Sequence, residues 1–407
     1  MTASVAAGAS GTAGARGAAG ARGGAAGARG AAGAAGAGAV PLRRWPRRVG
    51  YGLAFGAAGL AVLLPGSTAG AGYFFAQQVL TPARWYPLVV RSVSGSQIVV
   101  TRSEDTERPI PLGLAWRGGH AILGDVVRVD RNTVVREVST VVRGSLRAGL
   151  RAYTTSAVYD GDPRSVHGLE FTSAFVPGRL GHYPAWVVPG SDTWILAIHG
   201  RGASRTEALR ILPTLAASGA TTMVISYRND LSAPAGPDGC YHLGASEWED
   251  LAAAADYARS AGARRIVLYG WSMGGAIGLH ALRNEAVPEV AGLILDCPVV
   301  DWTATLRLQA AQRRLPAPLT WSAIRLVEQR IGTRLAELDF RGYQPPVPTM
   351  VLLDADDRLV ATEPTREFAA ASGAQLVETK GGGHVRSWNV DRTGYEASVR
   401  EFLGSLG

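Results

Sequence analysis

The sequence predicts an α/β fold, a mostly parallel sheet with helices on both faces. Three observations predict it. From about Val158 onward, short apolar runs of strand length alternate with amphipathic helical stretches. The runs are near-continuously apolar rather than alternating, as strands buried on both faces are. The residues suited to chemistry come directly after these runs, at the carboxyl ends of strands, where open α/β sheets bind ligands.

The elements follow in chain order. Met1 to about residue 40 is a Gly/Ala/Arg tract with almost nothing apolar to bury, and it reads as a disordered tail. Residues 41–80 hold Arg43, Arg44, Arg47 and Arg48, then an uncharged stretch from Val49 to Leu80 that is most apolar from Val49 to Leu64. That length suffices for a transmembrane or signal-anchor segment. The arginines before it place the N-terminus in the cytoplasm and the remainder outside, so a single-pass cell-membrane protein is expected. The alternative is a signal peptide cleaved near Ala71, which would release a secreted protein.

Residues 81–157 change character. Gln97–Val100, Asp125–Val129 and Thr133–Val138 are β-branched runs separated by Gly and Pro, so a small β-rich accessory region is expected, with no catalytic constellation of its own. Residues 158–407 are the expected catalytic domain. Its strands are read at Ala185–Val188, Trp194–Ile198, Thr222–Ser226, Ile266–Tyr269, Leu293–Asp296, Met350–Leu353 and Gln375–Glu378. Helices are read at Arg205–Ala217, Ser246–Ser260 and Met273–Leu282. Residues 299–346 form an insertion with helical runs at Ala304–Arg314 and Ala323–Glu337, broken by Pro316 and Pro318, and its position suits a lid. Trp302, Leu306, Leu308, Leu315, Leu319 and Trp321 line an acyl pocket or form the lid's own small core.

Composition excludes some functions. The net charge is +8, but the seven arginines before Leu80 supply all but one of those charges, so the nearly neutral body gives no reason to expect a nucleic-acid partner. Cys240 and Cys297 are too few for a disulfide scaffold or a zinc cluster; they form one bridge or remain two small core residues. No metal or organic cofactor is implied.

Gly270-Trp271-Ser272-Met273-Gly274 lies between an apolar strand and a helix. A G-x-S-x-G there forms a sharp turn that lifts the serine hydroxyl out at the end of the sheet. A serine needs a base, and the base needs a third group to fix its tautomer. The base is read as His384, in Gly381-Gly382-Gly383-His384 after the last strand, ahead of His120, His167, His182, His242 and His280. The acid is read as Asp357, with Asp354 and Asp356 as close rivals and Asp301 as the outside choice. The oxyanion is expected to meet the backbone N–H groups of Met273 and of Arg201, the latter in His199-Gly200-Arg201-Gly202.

With these motifs the chain resembles the serine hydrolases of the α/β-hydrolase superfamily over residues 158–407. Tyr227-Arg228-Asn229-Asp230 is similar to the Arg-containing loop of their membrane-associated, peptidase-like branch. The resemblance implies a membrane-anchored serine hydrolase that cleaves carboxylic esters or thioesters of a small or lipid-like acyl substrate through an acyl-enzyme. Peptide or amide cleavage, acyl transfer on the same triad, and a non-catalytic envelope binding protein are the alternatives.

Overall fold

The computed structural model describes residues 65–81 and 85–407. The expected tail, the arginine cluster and the apolar run Val49–Leu64 lie outside the described residues. Among the described residues, no helix is long and apolar enough to cross a membrane. The later part of the uncharged stretch forms a helix, Pro65–Leu80, that packs on the protein: Ala76 and Leu80 are buried in its core, and the Tyr241 N–H donates to the Leu80 carbonyl at 2.8 Å.

Six antiparallel strands close into a barrel in the order β1-β2-β5-β4-β3-β6. They are β1 (Leu88–Ser94), β2 (Gln97–Thr101), β3 (Leu112–Trp116), β4 (Gly119–Val129), β5 (Thr133–Arg143) and β6 (Arg151–Thr155). Alternate residues such as Val90, Ile98, Val100, Leu114 and Val134 fill its interior, and closure leaves no free sheet edge. The buried Arg136 guanidinium donates to the carbonyls of Thr106, Arg108, Ile110 and Gly124. Burial lowers its pKa to about 10, so it stays charged at neutral pH and ties the Glu104–Glu107 helix and the segment after it to the barrel wall.

The second sheet has eight strands in the order β14-β13-β12-β11-β9-β10-β8-β7. The antiparallel hairpin β7 (Thr172–Gly178) and β8 (Gly181–Val188) forms one edge. The other six run parallel to one another: β9 (Ser191–Ile198), β10 (Ala220–Val224), β11 (Arg265–Trp271), β12 (Val290–Asp296), β13 (Thr349–Asp354) and β14 (Gln375–Thr379). Along β9, Ile195 and Ala197 face one hydrophobic core while Leu196 and Ile198 face the other, so each side of the sheet is covered. The chain runs outward from β9 to β10, then crosses back to β11 on the other side of β9. The strand order therefore reverses between β9 and β11, which is where such sheets open a ligand crevice.

The insertion between β12 and β13 holds helices Trp302–Gln312 and Ala317–Ile331 and a 3₁₀ turn at Leu335–Leu338. The prolines act differently from the expectation. Pro316 and Pro318 start the second helix at Ala317 instead of delaying it to Ala323, because proline at the first helical turn forfeits no hydrogen bond and arrives with a helical φ. Leu306 and Leu315 line a cavity, Trp302 is buried with its Nε1 donating to the Leu243 carbonyl, and Trp321 is exposed. Cys240 and Cys297 are both buried and unpaired.

Candidate active site

Ser272 follows the last residue of β11 and caps the helix Met273–Arg283 with φ 53° and ψ −116°, a backbone state that non-glycine residues rarely adopt. Close packing explains the flanking glycines. A Cβ on Gly270 would lie 2.5 Å from the Gly274 carbonyl oxygen, and one on Gly274 would lie 2.0 Å from that of Ile198.

The Ser272 hydroxyl donates to His384 Nε2 at 2.8 Å, and His384 Nδ1 donates to Asp357 Oδ2 at 2.7 Å. The other Asp357 oxygen accepts the Leu359 and Val360 amides at 2.8 and 3.0 Å. Burial pushes the Asp357 carboxyl up. The His384 ring beside it and these two amides outweigh burial, and the carboxyl ends below its ordinary range.

The rival aspartates do other work. Asp354, fully buried at the end of β13, accepts the Gly382 and Gly383 amides at 3.0 and 2.8 Å, and Asp356 accepts the Gly381 amide at 3.0 Å. Both shape the glycine loop that carries His384. Asp301 accepts the Ala304 amide and caps the first lid helix. Cys297 lies close to Asp357 and His384, where its Sγ accepts the Val385 amide. Burial pushes its thiol up, so it remains neutral.

The loop after β9 approaches Ser272 closely: a Cβ on Gly200 would lie 3.1 Å from the Ser272 Cβ. Glu207 Oε2 accepts the Gly200 amide at 2.7 Å. Among the described residues the Arg201 and Met273 amides meet no acceptor. His199 lies beneath the loop, stacked on Tyr227, with Nδ1 donating to the Gly200 carbonyl and Nε2 to Asp230 at 2.7 Å. Burial disfavours its charge, yet Asp230 and the Gly200 carbonyl raise its pKa. Both ring nitrogens face acceptors, which favours the charged form. Arg228 is engaged in ion pairs to Asp250 and Glu249.

The barrel contributes more than its sequence suggests. Ser272 and His384 open onto a cavity of about 330 Å³ whose opposite wall includes Trp116, His120, Tyr153 and Thr155 of the barrel. The barrel also grips the loop around His384. Asp105 pairs with Arg386 through two contacts of 2.6 and 2.7 Å, and Arg108 Nη1 donates to the Gly381 carbonyl. From beneath, Arg210 Nη1 donates to the Val385 carbonyl at 2.9 Å. No local motif marks these residues. Asp105 and Arg386 are 281 positions apart.

A second, mostly apolar cavity of about 230 Å³ lies between the Pro65–Leu80 helix and the lid helices, lined by Phe75, Val79, Leu306, Ala310, Ile324 and Val327 among others. Arg201 and Leu359 border both cavities.

Comparison with known proteins agrees with this architecture. Residues 166–396 match the alpha/beta hydrolase family, and residues 89–155 match a domain of unknown function, DUF8805. No curated protein sequence matches the chain. Among solved structures, the Pyrococcus furiosus esterase Pf2001 is similar over 61% of this chain and 95% of its own, with 20% identity and a TM-score of 0.50. A Pyrobaculum calidifontis esterase is similar over 60% of this chain and 87% of its own, with 21% identity and a TM-score of 0.45. At 20% identity the likeness to the Pyrococcus furiosus esterase speaks to the fold alone.

Proposed function

We propose that this chain, a hydrolase that belongs to the alpha/beta hydrolase family, cleaves carboxylic esters or thioesters with Ser272 as nucleophile. The observation that carries the reading is the hydrogen-bonded series Ser272–His384–Asp357 at 2.8 and 2.7 Å, held at a strained turn and open to a cavity. Ser272 Oγ attacks the carbonyl carbon while its proton passes to His384 Nε2. Asp357 holds Nδ1–H and balances the imidazolium charge. The Arg201 and Met273 amides receive the developing oxyanion. Collapse breaks the bond to the alcohol or thiol, which leaves with the proton from Nε2. Water, activated by the same histidine, then releases the acid from Ser272. The apolar cavity under the lid favours an acyl group over a peptide.

The uncharged segment that begins at Val49 attaches the enzyme to the cell membrane, with the N-terminus cytoplasmic and the catalytic domain outside; the end of the Pro65–Leu80 helix, packed on the protein, lies outside the attachment. The arginines before Val49 support this topology. A cut near Ala71 would divide a helix whose later residues Ala76 and Leu80 are core, which favours retention over release. Val49–Leu64 is sixteen residues, short of the roughly 20 that span a bilayer, so the segment borrows from the start of the Pro65–Leu80 helix. Carbonate extraction of membranes would leave a retained anchor in the pellet; recovery in the wash would argue for release.

The catalytic assignment is tested by labelling purified wild-type and Ser272→Ala protein with a fluorophosphonate probe, alongside turnover of 4-nitrophenyl esters. Label and turnover should both vanish in the variant. Retained turnover would overturn the assignment.

A further inference from the structure

Arg201 is placed oddly for a structural arginine. Its side chain is half-buried, and it lines both of the cavities that meet at it. Its guanidinium makes one long hydrogen bond, Nη1 to the Gln78 carbonyl at 3.5 Å near the C-terminal end of the Pro65–Leu80 helix. Among the described residues no carboxylate pairs with it. The titratable groups nearest in effect are the Tyr227 and Tyr241 hydroxyls, which burial keeps neutral. A guanidinium held largely out of water needs acceptors: Arg228 meets the Asp250 carboxylate and Arg136 meets four backbone carbonyls, whereas Arg201 has one long bond. The apolar cavity has no acidic residue on its wall and carries a second arginine, Arg313, at its exposed rim. Arg313 bonds only the Gln309 carbonyl of its own helix.

We propose that the apolar cavity receives the acyl arm of the substrate and that this arm carries an anionic group bound by Arg201. The inference rests on the catalytic reading above. It sets a geometry as well as a charge. The Arg201 amide faces the scissile carbonyl and the guanidinium of the same residue faces the anion. The two charges of the substrate's transition state are therefore separated by about one arginine side chain, a span that a few methylenes cover. The substrate class is an ester or thioester of a short dicarboxylic acid or of an acid with a comparable anionic end. The cavity of about 230 Å³ is smaller than those that enclose drug-sized ligands, which agrees with a short arm.

The test compares 4-nitrophenyl hexanoate with mono-4-nitrophenyl adipate, which have the same acyl length and differ by one carboxylate, on full-length protein in detergent. Wild type should favour the adipate ester in kcat/KM. Arg201→Gln should lower the adipate-to-hexanoate ratio about 10- to 100-fold, mainly through KM, the scale of one hydrogen bond to a charged group. Arg201→Lys should restore part of it. Arg313→Gln, at the solvent rim where folding is not at stake, should lower the ratio less. A wild type that rejects the adipate ester, or a ratio unmoved by both glutamine variants, overturns the proposal. Fluorophosphonate labelling of each protein separates the two failures. Labelled variants with an unmoved ratio sink only the anion site, whereas wild type without label sinks the catalytic reading.

Discussion

Asp105→Asn is the most informative perturbation of the accessory barrel, because it removes one charge and almost no volume. The carboxylate makes a bidentate pair with Arg386 at 2.6 and 2.7 Å and accepts the Thr154 hydroxyl at 2.9 Å. The amide would set an NH₂ group against a guanidinium, losing one charge-assisted bond and weakening the other. Each such bond is worth about 1.5–3 kcal/mol. The two side chains are 12% and 34% exposed, so solvent screens part of this and the net loss is about 2 kcal/mol. Arg386 sits two residues beyond His384 and also donates to the Gly382 carbonyl, so the loss falls on the loop that sets the Ser272–His384 distance. If the full loss is felt as a lower population of the aligned loop, kcat drops by up to about 30-fold with little change in KM. The assay is steady-state hydrolysis of a 4-nitrophenyl ester, the fluorophosphonate labelling rate and a thermal melt in one buffer. A lowered melting temperature with full labelling rate and kcat would refute positioning and leave a structural clamp. An unchanged melt together with unchanged kcat and labelling rate would show that the pair contributes nothing. Burial pushes the Asp105 carboxyl up, but Arg386 and Thr154 outweigh it and hold its pKa below the unfolded value. Its contribution is therefore present at neutral pH and is lost as pH falls through the folded pKa, below about 4.

Three further outcomes follow from the geometry. Asp357→Asn should leave the fold intact by circular dichroism while kcat falls by about 10⁴, because an amide no longer holds the His384 tautomer; a loss below tenfold would point to another acid. Gly274→Ala drives a Cβ to 2.0 Å from the Ile198 carbonyl and 2.8 Å from that of His199, both backbone, so it should cost several kcal/mol. Gly278→Ala meets only ordinary contacts from 3.8 Å and should raise the melting temperature slightly, which makes it the control. Burial, with Arg283 nearby, lowers the His280 pKa to about 4. The unfolded chain thus binds the extra proton between roughly pH 6.5 and 4, and wild type should lose about 3 kcal/mol across that window. In His280→Gln that part of the acid loss should disappear from melts compared at pH 7 and 4.5.

The fold was legible where burial leaves a local trace. The parallel strands β9, β11, β12 and β13 are covered on both sides, so their apolar runs are nearly unbroken and their ends mark the motif positions. The barrel was half legible. β2 and parts of β4 and β5 show as β-branched runs, whereas β3 contains Gly113 and β6 reads Arg-Ala-Tyr-Thr-Thr, with only Ala152 fully inward. What could not be read was the barrel's share of the cavity. Asp105, Arg108 and His120 are ordinary polar residues in sequence, and their role arises from contacts spanning the length of the molecule. The uncharged run through Leu80 looked like one segment, yet its last part is held by the Tyr241 amide and core packing, which hydropathy alone does not distinguish from lipid.

The turn after β13 shows why motif and geometry answer different questions. Asp354, Asp356 and Asp357 lie within four positions and have identical chemistry. β13 ends at Asp354, whose side chain is buried and points beneath the incoming glycine loop, where two amides claim its oxygens. Asp356 reaches the same loop one residue earlier in the chain, at Gly381. Only Asp357 is carried past the loop to the edge of the His384 ring, with one oxygen occupied by the Leu359 and Val360 amides and the other left to accept Nδ1–H. Exchanging Asp354 for Asn would therefore not remove the acid. It would replace one oxygen with an NH₂ that faces either the Gly382 or the Gly383 amide, displace the glycine loop, and move His384 away from an intact Asp357. The same loss of activity would come with a lowered melting temperature, whereas Asp357→Asn should lose activity alone.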